Sequence, residues 1–509
     1  LVGKEKMAGF LEKIRRTTRA LSPQGLLYIN TGDDTGPASG VPASHTGAFL
    51  DYLKARYKTL DAIRGVWGNE IADWNAVTNN YVAKARAAGN LAPNTDMLRF
   101  CEEHFYDGLG RLKETAQAIN PAVAVGQFAV GGFGHDFQRY LGSCNYFAPY
   151  YRNAIVEQVG SFHGRAPGFY GSNGGYHSAE GAPNPRFKEP WYTLLSGGNI
   201  VHHWYTPARL GHELDIHPLL SGIWFDAARE IGRGIGMQVL RTPRVNDPVA
   251  ILWSASSGYA SDYKAELGEE PLGEIGNSRG VFNQIIADLG LQYITIGDRH
   301  LTGGVLQKEG IKLLVLPYCQ ALAPAEAAAV RAFVEQGGTV LADVRPGVWD
   351  DLCRRPPQGQ LDDVFGVTRA APSSTKAGDG DLTAAAAFPG LAAGARIDQA
   401  KADRAVTATT AKAYGNVAGA PALLVNRFGK GTAVLVNTYV GRYTLCRDEG
   451  AAAPWHAFYR WVFETAGLDV DRVAVAVGGR PVLGVRRVHH REGAVELLGV
   501  YKNGLSCEK

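Results

Sequence analysis

Short apolar runs alternate with longer amphipathic stretches between residues 25 and 241. In the stretch 98–119 apolar residues recur at steps of three and four, which predicts a helix with one buried face. Strand followed by helix, repeated along the chain, is the order of a parallel sheet covered by helices. The runs with the length of buried strands are 25–30, 122–128, 145–149, 168–170 and 200–204.

A second α/β pattern follows Asn246-Asp247-Pro248, which we interpret as a linker. Apolar runs at 249–253, 313–316 and 339–343 predict strands. A helix is predicted over 281–289, and Pro324 opens an Ala-rich helix that Gly337-Gly338 ends. This order predicts a doubly wound sheet. Residues 355–420 are weakly periodic, 422–425 and 432–437 read as a hairpin, 456–466 as a helix, and an alternating pattern from 473 onward indicates a small β domain.

Composition narrows the possible partners. The 509 residues are 45% hydrophobic and carry 52 basic against 49 acidic side chains, with no long basic run, so neither nucleic acid nor an anionic membrane surface is an expected partner. Six cysteines show no metal-ligand spacing, and we expect no metal site. The compartment stays open, because the sequence begins without an initiator Met and the two ends read as incomplete.

Three segments resemble glycoside hydrolase family 42, the β-galactosidases. The segment FLDYLKARYKTLDAIRGVWG at 49–68, followed by Asp73-Trp74, is similar to the element after the fourth barrel strand in that family. Residues 197–213 resemble its late-barrel region. The runs LLVLP at 313–317 and FVEQGGT at 333–339 resemble its trimerisation domain.

The resemblance implies an α/β chain with a (β/α)8 TIM barrel, then a flavodoxin-like domain, then the start of a small β domain. We place these domains at 1–245, 246–468 and 469–509. If the strand at 25–30 is the fourth of the barrel, about three βα units of a complete barrel are absent. Either the barrel is N-terminally truncated in this sequence, or the resemblance misplaces the first strand. The resemblance also implies a homotrimer whose subunits complete each other's clefts.

Glycosidases place two carboxylates beside the scissile bond, one of which protonates the leaving oxygen. An apolar strand runs into Thr31-Gly32-Asp33-Asp34-Thr35-Gly36, the position where a barrel enzyme carries catalytic groups. By the resemblance, Asp34 aligns with the family's acid/base Glu, although Asp is one methylene shorter. The same six residues are also compatible with a simple turn.

The second carboxylate is less evident, because no acid ends the predicted strand at 168–170 where the family has its nucleophile. Three explanations stay open. Glu180 reaches in from the following Gly-rich loop, another acid activates water in an inverting reaction, or catalysis has been lost. By the resemblance, Glu213 contacts substrate or supports the site rather than attacking.

Saccharide clefts need aromatic faces and hydroxyl-binding polar groups near strand ends. His202 and His203 are adjacent on one predicted strand, so they cannot both point inward. The substrate-binding candidates are Asp33, Trp67, Tyr146, Asn173, Tyr176, His203, Trp204 and Glu213.

The sequence therefore predicts a β-galactosidase-like glycoside hydrolase that uses Asp34 and Glu180 on a glycoside or oligosaccharide, without a cofactor. One alternative is a non-catalytic carbohydrate-binding or assembly protein derived from such a barrel. Another is an amidotransferase-like domain with Cys319 as nucleophile. A nucleophile elbow requires small flanking residues, whereas Pro317-Tyr318-Cys319-Gln320-Ala321 is bulky on one side and has no Gly.

Overall fold

The computed structural model describes a five-stranded parallel sheet, a nine-stranded mixed sheet and the helices around them. It covers residues 2–33, 35–129, 134–149, 153–174, 190–203, 226–263, 274–370, 377–384, 394, 396–448, 452–470, 476–477, 480–481, 483 and 485–502. None of the described helices is long and apolar enough to cross a membrane.

The first sheet has five parallel strands in chain order. They are β1 (Tyr28–Asp33), β2 (Ala124–Ala129), β3 (Tyr146–Pro149), β4 (Phe169–Gly174) and β5 (Ile200–His203). Each coincides with a strand predicted from the sequence. The accompanying helices are α1 (Lys4–Leu21), α2 (Thr46–Tyr57), α3 (Leu60–Trp67), α4 (Asn79–Ala87), α5 (Ala92–Gln117), α6 (Phe137–Ser143) and α7 (Asn153–Gly160).

This sheet is curled like the wall of a barrel. The rings of Phe128 on β2 and His202 on β5 have centroids 4.4 Å apart. In a flat sheet, three strand spacings would separate β2 from β5 by about 14 Å. The contact therefore crosses the concave side, where Tyr146 also packs edge-on against Phe128. On the convex side Ile29 and Val125 pack against Ile14 of α1, which is the helix layer expected of a (β/α) barrel.

The helices between β1 and β2 form a small core of their own. Phe49 and Leu53 of α2 pack with Ile63 and Trp67 of α3 and with Phe100 of α5. Thr59 caps α3 by accepting a hydrogen bond from the backbone N–H of Ala62. The segment between β1 and β2 thus has an apolar core of its own, and it contains the motif that carries the family resemblance.

Thirteen described strands follow in the second α/β region. They are β6 (Val249–Trp253), β7 (Ile294–Gly297), β8 (Leu313–Leu316), β9 (Ala321–Leu322), β10 (Thr339–Ala342), β11 (Trp349–Asp350), β12 (Val367–Arg369), β13 (Ala377–Ala384), β14 (Arg396–Asp403), β15 (Val406–Ala408), β16 (Lys412–Val417), β17 (Ala420–Phe428) and β18 (Gly431–Leu435). Nine of them form the second sheet, in the order β14-β13-β16-β17-β18-β10-β8-β6-β7. Strands β7, β6, β8, β10 and β18 run parallel, and their order is that of a flavodoxin-like fold.

Helices cover both faces of this sheet, and two apolar clusters fill the two layers. The strands at 249–253 and 313–316, the Pro324 helix and the hairpin all lie where the sequence predicts them. The helices are α8 (Gly236–Arg241), α9 (Ala255–Ser261), α10 (Ile275–Asp288), α11 (Asp298–Thr302), α12 (Val305–Lys308), α13 (Pro324–Glu335), α14 (Asp362–Phe365), α15 (Arg442–Asp448) and α16 (Ala453–Thr465).

Short antiparallel strands end the described chain. They are β19 (Ala476–Val477), β20 (Arg480–Pro481), β21 (Val485–Glu492) and β22 (Val495–Lys502). The β21–β22 hairpin is anchored beside the linker, because the backbone N–H of His489 donates to Oε1 of Gln292, 3.1 Å away. The domain limits drawn from the sequence stay a prediction.

Candidate active site

The loop after β1 is fastened to β2 by one buried amide. Gln127 is fully buried, its Nε2 donates to the carbonyl of Thr35 at 2.9 Å, and its Oε1 accepts from the Thr35 hydroxyl at 3.2 Å. The hydroxyl of Thr31 donates to the carbonyl of Gly126 at 2.8 Å. The chain on both sides of Asp34 is therefore held at the carboxyl end of the barrel wall, although Asp34 itself lies outside the described residues.

Thr35 folds back over Gly32. A Cβ at Gly32 would lie 2.4 Å from Oγ1 of Thr35, so a larger residue would displace the loop. The backbone N–H of Gly32 also donates to Oδ1 of Asn30 at 3.2 Å. The turn needs glycine at position 32 because Thr35 leaves no room for a side chain there. It needs small polar residues because a side chain such as that of Asn30 accepts a hydrogen bond from the backbone of the turn.

Aromatic rings line the concave side of the sheet below this loop. Tyr28 and Tyr146 are stacked with centroids 4.3 Å apart, and Tyr146 is fully buried. Burial and the adjacent Tyr28 raise the pKa of Tyr146, so its phenol stays protonated. Tyr146 thus packs the barrel interior below the loop.

His202 is the half-buried polar group on this side. Burial lowers its pKa, and the charge of Asp33 partly opposes that shift. The imidazole is consequently neutral at pH 7, with one ring nitrogen able to donate and the other to accept. Asp33 at the end of β1 thus influences His202 on β5 electrostatically.

Glu102 of α5 holds the chain that follows β2. Its carboxylate accepts from the backbone N–H groups of His135 at 2.8 Å and Asp136 at 3.2 Å. The hydroxyls of Tyr106 and Tyr259 donate to it at 3.1 and 2.8 Å. Tyr259 belongs to the second domain, so that domain helps to fix the chain beyond the carboxyl end of a barrel strand.

Trp67 lies away from this wall. It is 1% exposed in the core of α2, α3 and α5, and its indole N–H donates to Oδ2 of Asp96 at 2.8 Å. Its ring is stacked on Tyr81. These contacts give Trp67 a packing role, and we leave it out of the site proposed below.

The remaining candidates are only partly described. Asn173 lies in β4, where its backbone pairs with that of His202, and His203 lies in β5. The side chains of Asn173 and His203 are outside the described residues. The candidates that lie outside entirely are Asp34, Tyr176, Glu180, Trp204 and Glu213. Their roles stay predictions.

The sequence did not predict that Gln127 and Glu102 support the candidate site. The signal for Gln127 was a lone polar residue inside an apolar strand, because a fully buried amide is uncommon unless it has partners. Glu102 offered no comparable signal, since a glutamate on an amphipathic helix is usually solvated.

Cys319 is buried, and burial together with Asp343 raises the pKa of its thiol well above the ordinary value. The reactive thiolate is therefore disfavoured. Among the described residues no group of three or more His, Cys, Asp or Glu side chains is placed to hold a metal ion.

Comparison with known proteins agrees with this architecture. Residues 293–468 match the family model of the β-galactosidase trimerisation domain. A β-galactosidase from Bacillus circulans sp. alkalophilus superposes with a TM-score of 0.75 at 14% identity, covering 98% of this chain and 76% of that one. A GH42 β-galactosidase from G. stearothermophilus gives 0.71 at 15% identity, covering 97% and 75%.

The chain has the GH42 β-galactosidase fold. The resemblance noted in the sequence and the barrel fold class are thereby confirmed. An α-L-fucosidase from Paenibacillus thiaminolyticus also superposes, with a TM-score of 0.57 at 13% identity over 99% of this chain and 70% of that one. No curated protein matches the sequence.

Proposed function

We propose that this GH42-like chain is a glycoside hydrolase acting on β-galactosides, with Asp34 as the general acid/base. The observation that carries the proposal is the clamp of Gln127 on Thr35. It holds Thr35, the residue that follows Asp34, at the carboxyl end of the barrel wall, where barrel enzymes carry their catalytic groups.

In the proposed reaction Asp34, protonated, donates its proton to the glycosidic oxygen as the bond to the anomeric carbon breaks. Glu180 is the proposed second carboxylate, which attacks the anomeric carbon or activates water. Neutral His202 beside Asp33 suits a sugar hydroxyl, which both donates and accepts. Asp33, Asn173, Tyr176, His203, Trp204 and Glu213 remain substrate-binding candidates.

The decisive experiment uses aryl glycosides and the Asp34→Asn variant. We expect Asp34→Asn to lower kcat for aryl β-galactoside by at least about a hundredfold, because general acid catalysis contributes roughly 10² to 10⁴. Asp34→Glu is the matched control, since it keeps a carboxyl and should retain turnover. Glu180→Gln should be as damaging as Asp34→Asn.

The fold alone does not choose the sugar, because an α-L-fucosidase shares it. An aryl α-fucoside assayed beside the galactoside therefore decides the glycone. If the wild-type chain hydrolyses no glycoside yet still binds galactose-containing oligosaccharides, the non-catalytic binding protein is the correct reading.

We also propose a homotrimer, supported by the match to a trimerisation domain over residues 293–468. Light scattering of the purified protein should give the mass of three 54.6 kDa chains. A monomer at micromolar concentration would contradict this assembly.

A further inference from the structure

The second sheet has a buried cation at the edge where such folds bind ligands. Its chain order reverses between β6 and β8, and in open α/β sheets the crevice beyond the carboxyl ends of those strands is the usual ligand site. Trp253 is the last residue of β6. The guanidinium carbon of Arg279, on α10, lies 3.8 Å from the centroid of the Trp253 ring.

Arg279 lacks a polar partner among the described residues. It is 6% exposed, and its Nε is buried without a hydrogen bond. Stacking on Trp253 supplies a cation–π contact, but it gives the Nε–H, which lies in the plane of the guanidinium, no acceptor among the described residues. A buried charge without a partner is costly, so the structure favours an additional acceptor here.

A second unsatisfied group lies in the same region. Asp298 follows β7, and its Oδ2 accepts from the backbone N–H of Ala255 at 3.0 Å. Its Oδ1 is buried without a partner in the described part of the chain. Asp298 and Arg279 influence each other electrostatically, yet no direct ion pair joins them within the described residues.

The other acids near this edge already have partners. Asp343 accepts from the hydroxyl of Ser278 at 2.6 Å and from the backbone N–H of Tyr318. Asp136 pairs with Arg299 at 2.8 Å. These acids are thus committed to other donors, and within the described part of the chain Arg279 is left as a planar donor without an acceptor.

We propose that Arg279 and Asp298 form a binding site for a small oxyanion, a carboxylate or a phosphate. The guanidinium fork matches two oxygens of such a group and can donate to both. Burial raises the pKa of Asp298, with the charge of Asp136 adding to the shift, so the protonated carboxyl is available to donate to a third oxygen. The site is independent of the proposed hydrolase reaction.

The test measures anion binding to the whole chain, without any assay of turnover. Sodium acetate and inorganic phosphate serve as probes at pH 6.5, against sodium chloride at matched ionic strength. We expect at least one probe to raise the unfolding temperature and to give a dissociation constant by calorimetry. Acetate and phosphate in separate arms distinguish the carboxylate from the phosphate source.

Arg279→Met should weaken binding of that probe at least tenfold, and Arg279→Lys should weaken it less because the charge remains. Arg279→Met should fold, since an apolar side chain in a buried position avoids the cost of burying a charge without a partner. Arg279→Lys should fold because it keeps the charge and a long aliphatic stem. Arg165→Met is the matched control. Arg165 also lies over an aromatic ring, Tyr170, at 4.2 Å, but donates to the carbonyl of Gly197.

Two results would overturn the proposal. One is a wild-type protein that responds to neither probe beyond the chloride control. The other is an Arg279→Met variant that binds the probe as tightly as the wild type and the Arg165→Met control do.

Discussion

At the residue scale, burial shifts the pKa of ionisable side chains in the second domain, and Asp343 is an example. Asp343 is fully buried, and burial raises its pKa to about 7, against the opposing hydrogen bonds from Ser278 and Tyr318. In the unfolded chain the pKa returns to its ordinary value near 3.8. The folded state therefore binds one more proton than the unfolded state between about pH 4 and pH 7.

This difference predicts a pH-dependent effect of Asp343→Asn. Because the folded pKa is raised, the contribution of Asp343 to stability is present below pH 4 and is lost as pH rises through 7. Asparagine cannot ionise and keeps an acceptor for the N–H of Tyr318. The unfolding temperature of the variant relative to wild type should thus be higher at pH 8 than at pH 5, measured by calorimetry.

Asp61→Asn is the control for that experiment, since the Asp61 side chain is 91% exposed. Its unfolding temperature relative to wild type should change little between the two pH values. If the unfolding temperature of Asp343→Asn differs from that of the wild type by the same amount at pH 5 and pH 8, then Asp343 ionises normally in the folded protein.

At the element scale, the clamp between the β1 loop and β2 tests the proposed site. Gln127→Leu removes both hydrogen bonds to Thr35 and puts an apolar side chain in a buried position, so stability should change little. The turn that carries the proposed general acid loses this anchor. We expect kcat for aryl β-galactoside to fall about ten- to hundredfold, because small misplacements of a reacting group carry penalties of this order.

Thr35→Val is the graded control. It removes the hydroxyl bond to Gln127 and leaves the bond between Nε2 of Gln127 and the Thr35 carbonyl. Its kcat should lie between those of wild type and Gln127→Leu in steady-state assays. Equal kcat in all three proteins would mean that the clamp does not position the acid.

The same scale shows what the sequence could predict. Strands such as β6 and β8 were visible because each is a fully buried apolar run. Strands β13 and β14 were not, because AGDGDLTA and RIDQAKAD carry few apolar residues and lie at the end of the sheet, where backbone pairing replaces side-chain burial. Asp34 was predicted through a motif and its role stays a prediction, whereas the Gln127 clamp joins residues 92 positions apart and needed the fold.

Trp67 illustrates the limit of motif reading for a site. It belongs to the segment that carries the family resemblance, which made it a candidate for sugar stacking. Its indole N–H instead meets the fully buried carboxylate of Asp96, which also pairs with Arg56 at 3.1 Å. A resemblance marks which residues a fold uses, and only contacts separate a packing role from a binding role.

At the scale of the whole molecule, polar contacts bind the barrel to the second domain. Arg99 of α5 donates to Asp351 at 2.8 Å, and Arg56 of α2 lies 3.5 Å from the same carboxylate. Trp253 donates from its indole N–H to the carbonyl of His135 at 3.0 Å. The two domains therefore share a cluster of charges around Asp351, and we expect them to unfold together.

Asp351→Asn should uncouple them. The substitution leaves Arg99, whose side chain is 13% exposed, without its carboxylate. Breaking a buried pair costs about 3–5 kcal/mol, and partial exposure of Asp351 and Arg56 reduces this to roughly 1–3 kcal/mol. Calorimetry should show a lower unfolding temperature and a broadened or split transition. Asp363→Asn, which breaks the exposed pair with Arg331 inside the second domain, should keep the wild-type transition. If both variants unfold as the wild type does, the shared charges at Asp351 do not couple the domains.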